Sequence, residues 1–246
     1  MAIIEMLSGS PQGCTVTDIS TEMGINKGLI HRILTSLSGQ GYVYKDELTQ
    51  HYRLSTRLLG LAFRHVRSME MYDLVLPILR RLSDSSQELA ELNWLQNGRL
   101  VLVAKAESPR RVKVVDYFGE DLILHATAGG KVWLANLPED EALRVLVERG
   151  TPKLGENTMS DLAQLQEEFR LIRERGYAVN DQESADEVVA VAAPVWISGP
   201  KRQVIGAVSV VSPAYRNVHR NPEIIEQTIA AANEIGEIWP FMGLER

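Results

Sequence analysis

Lys27, His31 and Arg32 fall within one short stretch, and Lys45 and Arg53 follow downstream, so the clearest surface chemistry of this chain is basic. Ammonium, imidazole and guanidinium groups near a helix start can donate to phosphate oxygens and to base edges. A second cluster, His125-Ala126-Thr127-Ala128-Gly129-Gly130-Lys131, places small residues ahead of an expected helix at 131–136. Free amide N–H groups and the helix dipole there would favour a carboxylate or a phosphate, although two glycines before a helix also make an ordinary tight turn. The stretch is not a P-loop, because the glycine spacing and the Lys-Ser/Thr pair are absent. Asp181 and Glu183 are acids flanked by apolar strands that either reach a cleft or stay in a solvated loop.

Covalent and metal chemistry find no support. His31, His51, His65, His125 and His219 show no ligand spacing with Cys, Asp or Glu. Ser209 and Ser212 lack the nucleophile-elbow pattern, and Cys14 is the only cysteine, with no partner for a disulfide or a metal cluster. No cofactor and no catalytic residue are expected. A single thiol fits a reducing compartment. No apolar run approaches the roughly 18 to 20 residues of a membrane span, and no signal-like segment opens the chain, so the expected location is the cytoplasm, away from membranes.

The basic residues need elements to position them. Thr15 with Asp18 three residues later is a capping-box-like start, and Thr15 and Thr17 open a helix whose Ile19 and Met23 share one face. Gly24 ends that helix and Asn26 caps the next. From there Ile30, Ile33, Leu34 and Leu37 bury one stripe, leaving Lys27, Gly28, His31, Thr35 and Ser38 on the other. Such geometry sets side chains against base edges, and it is also that of a common helical hairpin. The following Gly39-Gln40-Gly41, Tyr42-Val43-Tyr44, turn at 46–50 and Tyr52-Arg53-Leu54 read as a β-hairpin wing, which makes the combination more specific. Lys45, Arg53 and Arg57 would lie where phosphates pass.

Charge is distributed unevenly. The chain has 246 residues and a net charge of -6, yet 26–67 holds seven Lys and Arg against only Asp46 and Glu47. A small nucleic-acid-contacting module on a larger acidic body shows this asymmetry, and so can solvated helix faces.

Beyond the wing, apolar residues from Leu58 to Phe63, with Val66 and Met69, predict a helix with more than one apolar face. It could link domains, contact a second copy, or pack within its own domain. Pro77 should kink the next helix or mark its first turn. Hairpin strands are expected at 89–95 and 100–106 around Gln96-Asn97-Gly98, with further strands at 112–115 and 122–124. Helices are expected at 139–149 and 161–175, strands at 177–179, 188–195 and 204–211, a turn at Ser198 to Lys201, and a final helix from Pro222 to about Trp239. Hairpins mixed with separate helices indicate an α+β fold on an antiparallel sheet.

Several segments, in order, resemble the IclR family of bacterial transcriptional regulators: TVTDISTEMGINKGLIHRILTSLSGQGYVYKD, YRLSTRLLGL, the ESP at 107–109, LHATAGGKVWLA, IRERGYAVNDQES, VAAPV and AVSVVSP. The resemblance implies an N-terminal winged helix-turn-helix domain (1–56), a linker helix (57–71) and a C-terminal GAF-like effector domain with an antiparallel sheet (72–246). It also implies a homodimer or dimer of dimers on a palindromic double-stranded DNA operator, controlled by a small organic acid. Lys27, Ile30, His31 and Arg32 match the family's DNA-reading helix, while Gly28 and Leu29 replace two hydroxyl residues; Leu29 could meet a thymine methyl instead. Effector residues implied by the resemblance are Ala128, Gly129, Gly130, Asp181 and Ser209. Ala190 and Val211 stand where relatives can be polar, which points to a larger or more apolar carboxylate, aromatic or branched. The alternative is a sensor module that acts through a protein partner, with degenerate DNA binding.

Overall fold

The computed structural model describes residues 2–68, 71–116, 122–197 and 203–238 and divides into two compact units, 1–69 and 70–246. The expected turn at Ser198 to Lys201, Met69, Trp239 and the side chains of Phe63 and Val66 lie outside what is described.

In the first unit, α1 (Ala2–Ser8), α2 (Val16–Met23) and α3 (Lys27–Gly39) precede the hairpin of β1 (Val43–Lys45) and β2 (Tyr52–Leu54), and α4 (Arg57–Ser68) follows. The boundaries of α2 and α3 are chemical. The Thr15 side chain accepts from the Asp18 amide at 3.2 Å while the Asp18 carboxylate accepts from the Thr15 N–H at 2.8 Å, closing a capping box. Gly24 adopts φ 65°, a left-handed conformation that ends α2. Asn26 Oδ1 accepts from Leu29 N at 2.9 Å and opens α3. Ile3, Leu7, Ile19, Ile30, Leu34, Val43 and Tyr52 close one core. Cys14 joins it: its N–H and C=O both pair with Tyr52, at 3.1 and 2.8 Å, tying the chain ahead of α2 to the wing.

In the second unit, β3 (Leu89–Gln96), β4 (Arg99–Ala106), β5 (Ala178–Asp181), β6 (Val188–Ile197) and β7 (Gln203–Pro213) form an antiparallel sheet in the order β4-β3-β7-β6-β5. The β3–β4 turn has positive φ at Asn97 and Gly98, the geometry that an Asn-Gly pair favours between two strands. Successive residues of β6 and β7 are buried, so the sheet is covered on both faces. The helices on the sheet are α5 (Met71–Ser86), α9 (Pro222–Ile238) and α6 (Ala128–Ala135), and α7 (Glu139–Arg149) and α8 (Leu162–Arg175) pack against α6.

Three expectations need correction. Residues 112–115 and 122–124 are not strands but irregular backbone, with Leu122 N–H bonded to Leu100 C=O at 3.1 Å. Their alternation arises because Val114 and Leu122 pack on the core while Val112 and Val115 face solvent. The helix expected at 131–136 begins at Ala128, so both glycines belong to its first turn. Pro77 lies inside α5, past its first turn, which excludes the first-turn position of the two expected for it.

Candidate functional site

The first unit presents α3 to solvent by its Lys27, Gly28, Leu29, His31, Arg32 and Thr35 face, opposite buried Ile30 and Leu34. Lys27 and Arg32 form no ion pair among the described residues. Thr17 is exposed in the first turn of α2, while the Thr15 hydroxyl is committed to its cap. The wing cations are less free. Lys45 bonds to Gln50 and lies 5.9 Å from the centroid of the Tyr52 ring. Arg53 is half-buried and drawn toward Asp46, 3.8 Å away. Arg57 stacks on Tyr42 at 5.2 Å. Among these residues, Lys27 and Arg32 of α3 are thus freer to meet a polyanion than the wing cations.

The second unit contains a cavity of about 300 Å³ between β3, β6, β7 and the start of α6. Ala128, Gly129, Ala190, Ser209 and Val211 all line it. A Cβ at Gly129 would stand 3.3 Å from Leu122 Cδ1 and 3.6 Å from Ser209 Oγ, so a methyl fits there with a small shift of the Leu122 side chain while a larger side chain would fill the space. Two expected residues lie elsewhere. Gly130 packs on the Leu124 backbone, where a Cβ would come within 2.3 Å of the carbonyl oxygen. Asp181 faces His219 at 3.4 Å and Arg220 at 3.0 Å. Burial works against its ionisation, but hydrogen bonds from Gln182 and Arg220, with His219 adjacent, hold its carboxyl below the usual range.

The α6 start is organised by Thr127, whose Oγ accepts from Gly130 N at 3.2 Å and donates to Ile123 C=O at 3.0 Å. The amides of Ala128 and Gly129 are left without an intrahelical acceptor, beside the cavity. Lys131 points away, fully buried, with Nζ 2.5 Å from Glu183 and 3.9 Å from Glu168. This ion pair fixes α6 to α8 and to the turn after β5. That turn is built on Asn180, which accepts from Glu183 N at 2.8 Å and donates to Ser184 at 2.7 Å.

Sequence reasoning missed Glu91, Asn93 and Asp116, which also line the cavity. Glu91 is 3% and Asn93 1% exposed, and Glu91 Oε1 and Asn93 Oδ1 have no hydrogen-bond partner. Burial, then the neighbouring Asp116, pushes the Glu91 carboxyl well above the ordinary range, with Lys105 opposing. The signal was present in LAELNWL: a strand buried on both faces with Glu and Asn two residues apart, hence on one side. The described residues hold no group of three His, Cys, Asp or Glu that could bind a metal, and no helix among them is long and apolar enough to cross a membrane.

Comparison with known proteins covers both units. Residues 63–237 match the family described as bacterial transcriptional regulator IclR C-terminal, and residues 1–47 match the IclR helix-turn-helix domain. An HTH-type transcriptional regulator of Mycobacterium tuberculosis is 30% identical over 245 residues, covering 99% of this chain and 91% of the relative. The glycerol operon regulatory protein of Streptomyces griseus is 31% identical over 215 residues, covering 87% and 83%. The crystal structure of an IclR transcriptional regulator from Alicyclobacillus acidocaldarius superposes with a TM-score of 0.77 at 25% identity, covering 91% of this chain and 89% of that one.

Proposed function

The chain belongs to the IclR family of bacterial transcriptional regulators, proteins that bind DNA and are not enzymes, and from that premise we propose how its two units divide the work. Lys27, His31 and Arg32 on α3 meet the major groove of a palindromic operator, with Thr17, Gly28 and Leu29 beside them and Lys45 approaching a phosphate from the wing. The 57–71 segment acts as the linker, and exposed Leu59 and Leu61 on α4 favour pairing with a second copy. A cytoplasmic location follows from that role.

The effector is a small carboxylate held in the cavity of the second unit. The observation that carries this is the pair of amides at Ala128 and Gly129, free of intrahelical acceptors, at the edge of a cleft that is otherwise walled largely by apolar side chains such as Leu102, Val114, Leu122, Ala190 and Val211. A ligand bound more tightly in one arrangement of the paired chains shifts the spacing of the two α3 helices, and so the affinity for operator. The test is a gel shift on DNA upstream of the protein's own gene, repeated with a panel of aromatic and branched carboxylic acids. Retention on that DNA, changed by at least one acid and no longer changed in Gly129→Leu, is the expected result. Tight binding of glyoxylate with no response to larger acids would sink the assignment of effector class.

A further inference from the structure

The cavity has two chemically opposite ends. One is the α6 start, with donors at the Ala128 and Gly129 amides. The other is strand β3, where Glu91 Oε1 and Asn93 Oδ1 are buried acceptors without partners. Two residues apart on one strand, these side chains emerge on the same side, roughly 7 Å apart along it. Asp116 adds a second carboxyl beside Glu91, and no Lys, Arg or His is among the described residues lining the space. A ligand bearing only a carboxylate and hydrocarbon would leave the β3 acceptors unsatisfied and place its own charge among carboxyls. A phosphorylated or dicarboxylic ligand would do worse.

We propose that the effector is an amino-substituted monocarboxylic acid, its carboxylate on the Ala128 and Gly129 amides and its ammonium group donating to Glu91 and Asn93, with Asp116 alongside. The inference rests on the carboxylate reading given above and adds the second anchor. An ammonium carries only donors, so it can serve both acceptors at once and counter the charge of the Glu91–Asp116 pair. A hydroxyl has one donor and brings lone pairs toward oxygens that are already acceptors.

The experiment measures binding to the full-length protein by calorimetry with two matched sets of probes. One set is leucine, 2-hydroxyisocaproate and 4-methylpentanoate; the other is 4-(aminomethyl)benzoate, 4-(hydroxymethyl)benzoate and 4-methylbenzoate. The amine of at least one set should bind about tenfold more tightly than its hydroxyl counterpart, and more tightly still than the plain acid. Glu91→Gln and Asp116→Asn should each weaken that preference, because each removes a carboxyl from the ammonium end. If plain or hydroxyl acids bind as tightly as the amines, or if Glu91→Gln leaves the preference intact, the ammonium anchor is wrong and the carboxylate reading stands. If no acid of either set binds, the carboxylate reading itself falls and takes this proposal with it.

Discussion

At the scale of single residues, Glu91 sets a measurable balance between protonation and stability. The groups facing its carboxyl are Asp116, Glu107 and Lys105, the last donating to Asp116 C=O at 2.6 Å and pairing with Glu107 at 2.7 Å. Because folding raises the pKa of Glu91, the folded chain keeps a proton that the unfolded chain releases, and stability falls as pH climbs above the ordinary glutamate value of about 4.3. In Glu91→Gln the amide donates to Asp116 with no such proton to lose. Its melting temperature without ligand should therefore fall less between pH 5 and 7.5 than that of the unsubstituted protein, in paired thermal scans. Arg32 and Arg53 make a second contrast. Arg32 is exposed and unpaired, whereas Arg53 is already turned toward Asp46. Arg32→Ala should weaken operator binding by about 1 to 3 kcal/mol with acid binding intact, and Arg53→Ala should cost less. Equal losses in a titration on the same operator would contradict that ordering.

At the scale of elements, α6 concentrates the constraints. Its first turn has to approach Leu124 closely enough that Gly130 cannot carry a side chain, and its Lys131 is held in a buried ion pair. Gly130→Ala should destabilise the second unit by about 1 to 3 kcal/mol by forcing backbone apart, read as a lower midpoint in urea, whereas Gly129→Ala adds a methyl to a cavity with room for it. These elements were unequally legible. Gly24 and the Asn97-Gly98 turn act through their own backbone and Asn26 through a side-chain cap three residues away, so local sequence specifies them. Residues 112–115 and 122–124 misled because a segment edging a cavity, with Val114 inward and Val115 outward, has the same period as a strand. The resemblance sets Gly130 and Asp181 at the effector, and the residues themselves allow both to reach a ligand, Gly130 ahead of a helix and Asp181 between apolar strands. Their places are decided by contacts with Leu124, His219 and Arg220, distant in sequence or invisible without the backbone path. Glu91 and Asn93 could have been found by asking why a fully buried strand carries two polar residues on one side.

At the scale of the molecule, the separation of charge governs how tightly operator DNA is held. The cations near α3 belong to a chain of net charge -6, so attraction is local and binding should be steeply salt-dependent. A filter-binding series from 50 to 200 mM salt should show a linear fall of log affinity with log salt, and Arg32→Ala should make the slope shallower by about one. A slope unaltered by that substitution would remove Arg32 from the phosphate contacts. The pairing of Cys14 with Tyr52 has a mechanical consequence for the same unit. By stapling the strand of the wing to the chain just ahead of α2, it makes the reading head stiff. A signal reaching such a head can move it as a lever moves its tip, changing where it points without changing what it reads.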